Sequence, residues 1–503
     1  MSASPDAGAP AAAATEAVGS TAAKGAVFIG AAKIYFMLSG FVQQVLLTRF
    51  LAVVDYGAFA VVNNIISIVN NTVVQATIQS VSKFTAEDDA RAEAVQRAGV
   101  RMQVVLGAVI ALALFWGAPL LAAFEHAPRY TVYFRIAAAI PFLYAVYAVF
   151  VGSANGLRRF RTQATFDIGF STSKTFLLLG LAVLWKVTGA FIGFAAAAAF
   201  ITVVAARVMR LPPSAQRFPV GRLVGYMGAV VLYNMLLNVA LNYDQPVLHH
   251  FAGPVVGTEA ADAVAAQYQA LRTLALLPYQ ALMVVTFVIF PLISRSTFAE
   301  DREATRLYVT QTMRYALILV AAMGIVLAAR PAALLGVIYK PAYVAGAPAM
   351  PILVAGECAL ALLAVACAIL NAAGQTRATV SFVALTVLVG TGAAALLVPH
   401  AASGTPMLMA AATATALGTV AGFLAAVIYV RSRLGGTPPP ATLARVALAI
   451  AAGLAVGHFT PGHGKIVGLA VTALAALAYA TVLVVSGELG PADRAKLLRM
   501  LRR

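Results

Sequence analysis

Seven ionisable side chains sit inside long apolar stretches of this chain: the bases Lys33, Arg135, Lys174 and Arg272, and the acids Asp167, Asp244 and Glu357. At bilayer depth each costs at least roughly 2.5–3.5 kcal/mol unless a partner or water meets it. Four bases at that depth mark a pathway or a buried pair, and all four are candidate substrate-binding cations. A carboxylate in a partly dry site is suited to take up a proton, which makes Glu357, Asp244 and Asp167 candidates for ion coupling. Plainer roles compete. Arg135 and Asp244 lie near span ends and could reach the headgroups. Asp167 could pair with Lys174, two helical turns further on. Lys174 and Glu357 are too central for either escape, so a protein-lined cavity or a buried partner is expected for both.

Uncharged polar residues add a second signal. Asn64, Ser67, Asn71, Gln75 and Gln79 recur at steps of three and four, as do Asn234, Asn238 and Asn242, so each set shares one helix face. Such stripes either glue helices together or line a wet cavity. Asn71, Gln75, Asn234, Asn238 and Asn242 are read as polar lining on facing walls of one lumen. Catalytic chemistry has no comparable signal. Cys358 and Cys367 form no CxxC pair, and His249 and His250 precede a connector (about 250–263) whose acids are Glu259 and Asp262. No nucleophile–base pair, phosphate-cradling loop or metal cluster stands out, so a non-enzyme without metal or cofactor is expected, its coupling ion being H⁺ or Na⁺.

The elements that must position these residues follow from composition. Of 503 residues, 61% are hydrophobic and 11% charged, and mean hydropathy is +0.88. A soluble domain carries roughly 25% charged residues, so this chain could not coat a water-soluble globule. The net charge of +17 would suggest nucleic acid in a soluble protein; beside these apolar runs it is a topology signal, and no nucleic-acid partner is expected. About 20 apolar residues cross a bilayer as a helix. That ruler gives fourteen spans, from about 25–50 to about 465–486, in an all-α polytopic membrane protein. Of the 35 basic residues, 25 fall in the even connectors and the terminal segments, among them Arg158, Arg159 and Arg161. The opposite connectors hold Arg49, Arg129, Lys186, Arg330, Lys340 and Lys465. The positive-inside rule therefore puts both termini in the cytoplasm.

The two halves also resemble each other. Ser82–Glu87 matches Ser294–Glu300, Pro119–Tyr130 matches Pro331–Tyr343, and Asn155-Gly156 parallels Ala373-Gly374. Six spans per repeat predict two parallel six-helix lobes around a central cavity, related by an axis along the membrane normal, plus two extra C-terminal helices. The expected parts are a disordered cytoplasmic tail (1–22), an N-lobe (23–222), a C-lobe (223–432), spans 13 and 14 (433–487) and a basic tail (488–503).

The ordered motifs within about 25–430 resemble the polysaccharide transporters of the multidrug/oligosaccharidyl-lipid/polysaccharide (MOP) exporter superfamily. Arg49-Phe50-Leu51 with Asp55-Tyr56-Gly57 is similar to the signature at the end of span 1, although Ala52 replaces the usual glycine. Asn155–Phe160 resembles the connector after span 4. Asp244, Tyr268 and Phe290-Pro291 resemble the span 7–8 pattern, continued by Tyr339–Tyr343 and Ala373-Gly374-Gln375. The resemblance implies twelve to fourteen helices in two lobes and alternating-access export of undecaprenyl-pyrophosphate-linked oligosaccharide. It also implies a bacterial inner-membrane location, contact with membrane lipids and with polysaccharide polymerase machinery, and a place for Asp244 in coupling. A lipid II flippase or a multidrug/cation antiporter of the same superfamily are the alternatives. A membrane-embedded glycan polymerase or ligase is the alternative from another class.

Overall fold

A computed structural model of the protein describes residues 9–283, 301–462 and 464–490. The repeat block Ser294–Glu300, the Phe290-Pro291 motif and the basic residues from Arg494 onward lie outside them. Every regular element among the described residues is helical, as expected where hydrocarbon offers backbone groups no partner. In order these are α1 (Ala9–Phe50), α2 (Val53–Glu87), α3 (Ala92–Phe124), α4 (Tyr130–Ala137), α5 (Ala139–Gly156), α6 (Phe160–Val208), α7 (Val220–Ala240), α8 (Asp244–Val256) and α9 (Thr258–Ala275). After the gap follow α10 (Arg302–Ala328), α11 (Pro331–Ile338), α12 (Pro341–Val344), α13 (Met350–Ala372), α14 (Thr376–Leu397), α15 (Thr405–Leu434), α16 (Pro440–Phe459) and α17 (Lys465–Val485). Two short 3₁₀ turns, Asp89–Arg91 and Ala347–Ala349, join them.

Local chemistry sets the ends. Asp301 accepts from the Ala304 N–H at 2.9 Å and caps α10. Proline opens α11, α12 and α16, where its missing N–H costs nothing. α15 ends on Gly435 in the left-handed region, with Arg431 and Arg433 in its last turn to meet the helix dipole. One expectation differs at the N-terminus. Composition predicted a disordered tail over 1–22, but α1 begins at Ala9. The run is rich in alanine, the strongest helix former, and helix propagates back from the apolar span.

Twelve of the described helices are long and apolar enough to cross a membrane, so the protein is multi-pass. One of them, α6, runs for 49 residues and breaks at Trp185 and Lys186, the latter at φ 50°. Its two arms are the fifth and sixth predicted spans folded back on each other. A Cβ on Gly189 would stand 1.9 Å from the Leu181 carbonyl oxygen, so only glycine admits this close return. The eighth expected span, about 264–292, begins in α9 and continues helically over 277–283 before leaving the described residues.

The chain divides into two compact units. The first takes described residues of Met1–Gln43, Ile66–Pro119 and Thr131–Met235; the second takes those of Gln44–Ile65, Leu120–Tyr130 and Leu236–Arg503. In the first, Val73, Val81, Phe84, Val95, Met102 and Val149 form a core joined by Leu223 and Met227. In the second, α13 is the central helix. Its Leu360, Leu363, Val365 and Leu370 pack with Val309 and Met313 of α10, Val383 of α14 and Ala426 of α15. A smaller cluster holds α16 and α17 to α10 through Val446, Tyr479, Leu483 and Ile325.

Candidate functional site

In the first unit, α1 runs beside the first arm of α6, and polar groups bridge them. The Lys33 ammonium lies 2.9 Å from Asp167 Oδ2; the lysine side chain is 50% exposed and the aspartate 10%. Tyr35 hydroxyl meets Thr172 Oγ1 at 2.7 Å, and Ser39 Oγ meets Thr175 Oγ1 at 2.9 Å. Phe36 stacks on Phe170, which stacks on Tyr144. The result is a strip of hydroxyls and aromatic faces ending in a half-exposed cation. Asp167 thus pairs across helices with Lys33, not along its own helix with Lys174. Lys174 has no ion pair among the described residues, and its ammonium sits 4.4 Å from the centre of the Phe194 ring on the returning arm. Arg135 is brought to neither. It is exposed near the end of α4, its guanidinium 5.3 Å over the ring of Phe115, itself exposed. That is the placement of a snorkelling side chain.

Asn71 is half-buried and Gln75 exposed on α2, so these two present polar groups along the unit's surface. Asn234 is buried within the first unit, at 5% exposure.

The fourth base differs in kind. Arg272, in the second unit, is 3% exposed. Its Nε lies 2.6 Å from Asp244 Oδ2 and 3.5 Å from Glu357 Oε1, and its Nη2 donates to the Leu241 carbonyl. Tyr268 donates to Asp244 Oδ2 at 3.0 Å and bonds Thr415 Oγ1 at 2.8 Å. Three residues singled out separately in the sequence, from α8, α9 and α13, therefore form one buried cluster. Two carboxylates face one guanidinium there. Among the described residues, Asp244 Oδ1 and Glu357 Oε2 each lack a hydrogen-bond partner. With both acids ionised the cluster carries an excess negative charge that one further monovalent cation would cancel. Asn238 and Asn242 lie at the α7–α8 break that precedes Asp244, Asn238 buried and Asn242 half-buried, with Asn242 Nδ2 donating to the Asn238 carbonyl at 2.8 Å.

The signature motifs near the end of α1 turn out to be packing chemistry. Arg49 donates to the Ile338 carbonyl at 2.9 Å, and Lys340 donates back to the Arg49 carbonyl at 2.8 Å. Tyr56 is fully buried, edge-on to Tyr343 at 6.2 Å. A Cβ on Gly57 would fall 1.9 Å from the Asp262 carbonyl oxygen, so α2 touches α9 backbone to backbone. Asn64 donates to Gln245 and Gln269 at 2.5 and 3.2 Å. The Arg-x-Leu…Asp-Tyr-Gly and Tyr-Lys-Pro-Ala-Tyr segments thus recognise each other.

Long apolar helices, buried charges and paired signature segments make a polytopic membrane fold, and solved transporter structures carry the same one. A lipid II flippase, MurJ, in an inward closed conformation superposes with a TM-score of 0.71 at 11% identity, over 91% of this chain and 98% of that one. An inward-facing multidrug-resistance MATE transporter of the MOP superfamily gives 0.62 at 14% identity, over 82% and 94%. A MOP superfamily transporter from Pyrococcus furiosus, described as having a binding pocket of reverse polarity, gives 0.59 at 13% identity, over 82% and 96%. Residues 22–297 match the family described as polysaccharide biosynthesis protein, and the chain belongs to that family. No curated protein sequence matches it.

Proposed function

We propose that the protein is a flippase carrying undecaprenyl-pyrophosphate-linked oligosaccharide from the cytoplasmic to the outer leaflet of a bacterial inner membrane, by alternating access between two lobes. Both termini would be cytoplasmic, and the polymerase machinery that extends the glycan would receive the product. The observation that carries this reading is the state of the charges at membrane depth. Lys33 is half-exposed and Lys174 has no anionic partner among the described residues, so cations are open to a ligand. The acids are occupied, Asp167 by Lys33 and Asp244 with Glu357 by Arg272. A carrier of cationic drugs needs the reverse arrangement. Pyrophosphate would meet the lysines, and Tyr35, Ser39, Thr172 and Thr175 would offer hydroxyls to the sugars beside aromatic faces.

Coupling would belong to the Asp244–Arg272–Glu357 cluster, whose excess charge a proton or Na⁺ would cancel in one state and not in the other. Depletion of the protein should leave its lipid-linked glycan accumulated on the cytoplasmic face. If peptidoglycan precursor accumulates instead, the lipid II reading replaces this one. In proteoliposomes under an imposed proton gradient, Glu357→Gln should transport without the wild-type response to the gradient. A response equal to wild type would remove Glu357 as the coupling site.

A further inference from the structure

A second buried polar cluster lies in the second unit. Glu125 and His126 follow α3, and the connector 125–129 folds against α8 and α9. Glu125, His249 and Asp262 have fully buried side chains. His249 Nδ1 lies 2.8 Å from Glu125 Oε2, and its Nε2 lies 3.2 Å from the Tyr130 hydroxyl and 3.3 Å from Asp262 Oδ1. Arg129 and the Tyr130 hydroxyl both donate to Asp262. Glu125 Oε1 has no hydrogen-bond partner among the described residues. Around this core stand His250, stacked on Phe124, then His126 beside His250, and Glu259 one turn before Asp262 on α9.

Arg129 and Asp262 cancel each other, which leaves Glu125 and His249 to balance between themselves. With no proton shared, a carboxylate stands buried against a neutral imidazole, one oxygen unpaired. With two, an imidazolium is buried facing Arg129. With one, the pair is neutral or internally ion-paired, and a single hydrogen bond joins it. We infer that Glu125 and His249 form a site for one proton that fastens the 125–129 connector to α8 and α9, and that the connector comes free as that proton leaves.

Burial pushes the Glu125 carboxyl up to about 8, against a smaller pull downward from His250. Burial, and after it the Arg129 charge, opposes a second proton on His249. Exposed to water, the same two groups titrate near roughly 4.3 and 6.5. Between about pH 6.5 and 8 the fastened form therefore holds a proton that the free form lacks, and acidification favours fastening. Across that window the ratio of fastened to free connector should change on the order of tenfold.

This inference rests on the geometry of the cluster and needs no substrate, so its failure would leave the flippase reading untouched. Hydrogen–deuterium exchange of the full protein in phospholipid nanodiscs, corrected for intrinsic amide rates, reads it directly. Wild-type protection over 125–129 should rise about tenfold from pH 8 to pH 6.5, while that of α5 stays level. Glu125→Gln, isosteric and permanently neutral, should be protected at both pH values alike. A flat wild-type profile would overturn the inference even if the variant does not fold. A Glu125→Gln profile with the wild-type slope would overturn it as well.

Discussion

The Lys33–Asp167 pair and the Arg272 cluster are both charges at membrane depth, yet they are built on opposite plans. Lys33 has one ionic partner and a side chain half in the open. Arg272 has two carboxylates, a backbone carbonyl and almost no exposed surface. A buried ion gains its stability from partners that were desolvated with it, and removing one strands the others. An accessible pair gains little and loses little. The comparison separates a group poised to exchange its partner for a ligand from one fixed by the fold.

The largest expected effect tests the fixed end. Arg272→Leu strands Asp244 and Glu357 together, which should cost about 3–5 kcal/mol. A fall in the midpoint of thermal unfolding would show it, and Arg272→Lys should recover part of the loss. Unchanged stability would mean that the two acids are already neutral, and the contrast with Lys33 would collapse.

Packing around the second unit's signature segment should come next. Gly57→Ala drives a methyl into the Asp262 carbonyl, and neither backbone can yield freely. Overpacking of this kind costs about 1–3 kcal/mol. Lys174→Ala should move stability less, by roughly 0.5–2 kcal/mol at most for a lost cation–π contact, while transport is abolished. Transport at the wild-type rate would remove Lys174 from the substrate path.

Depth was legible in the sequence; partnership was not. A run of apolar residues tells how far Lys174 or Glu357 lies from water, because hydropathy is a local property. The break between the fifth and sixth spans was legible for the same reason, since no single helix of that length fits one bilayer. Pairing depends on which helices meet. Asp167 was offered Lys174, the base on its own helix, and the structure gives it Lys33 from α1. Arg272 was grouped with the other bases by charge alone, and folding set it between two acids assigned to a different task. Glu125 was passed over although it lies in the repeated block Pro119–Tyr130, because nothing in its spacing reveals His249, 124 residues away. Thr415, which holds Tyr268 against Asp244, left no sequence signal either.

The smallest expected effect decides the most about access. A double-mutant cycle with Lys33→Ala and Asp167→Ala measures the pair apart from other consequences of each change. If water reaches Lys33, screening and side-chain entropy should hold the coupling to about 0.2–1 kcal/mol. The same cycle with Arg272→Leu and Asp244→Asn should give several times more. A Lys33–Asp167 coupling as large as the Arg272 value would mean that the exposed half of Lys33 faces hydrocarbon. An anionic headgroup could not then approach it from an aqueous cavity, and the substrate contact would have to be sought at Lys174 alone.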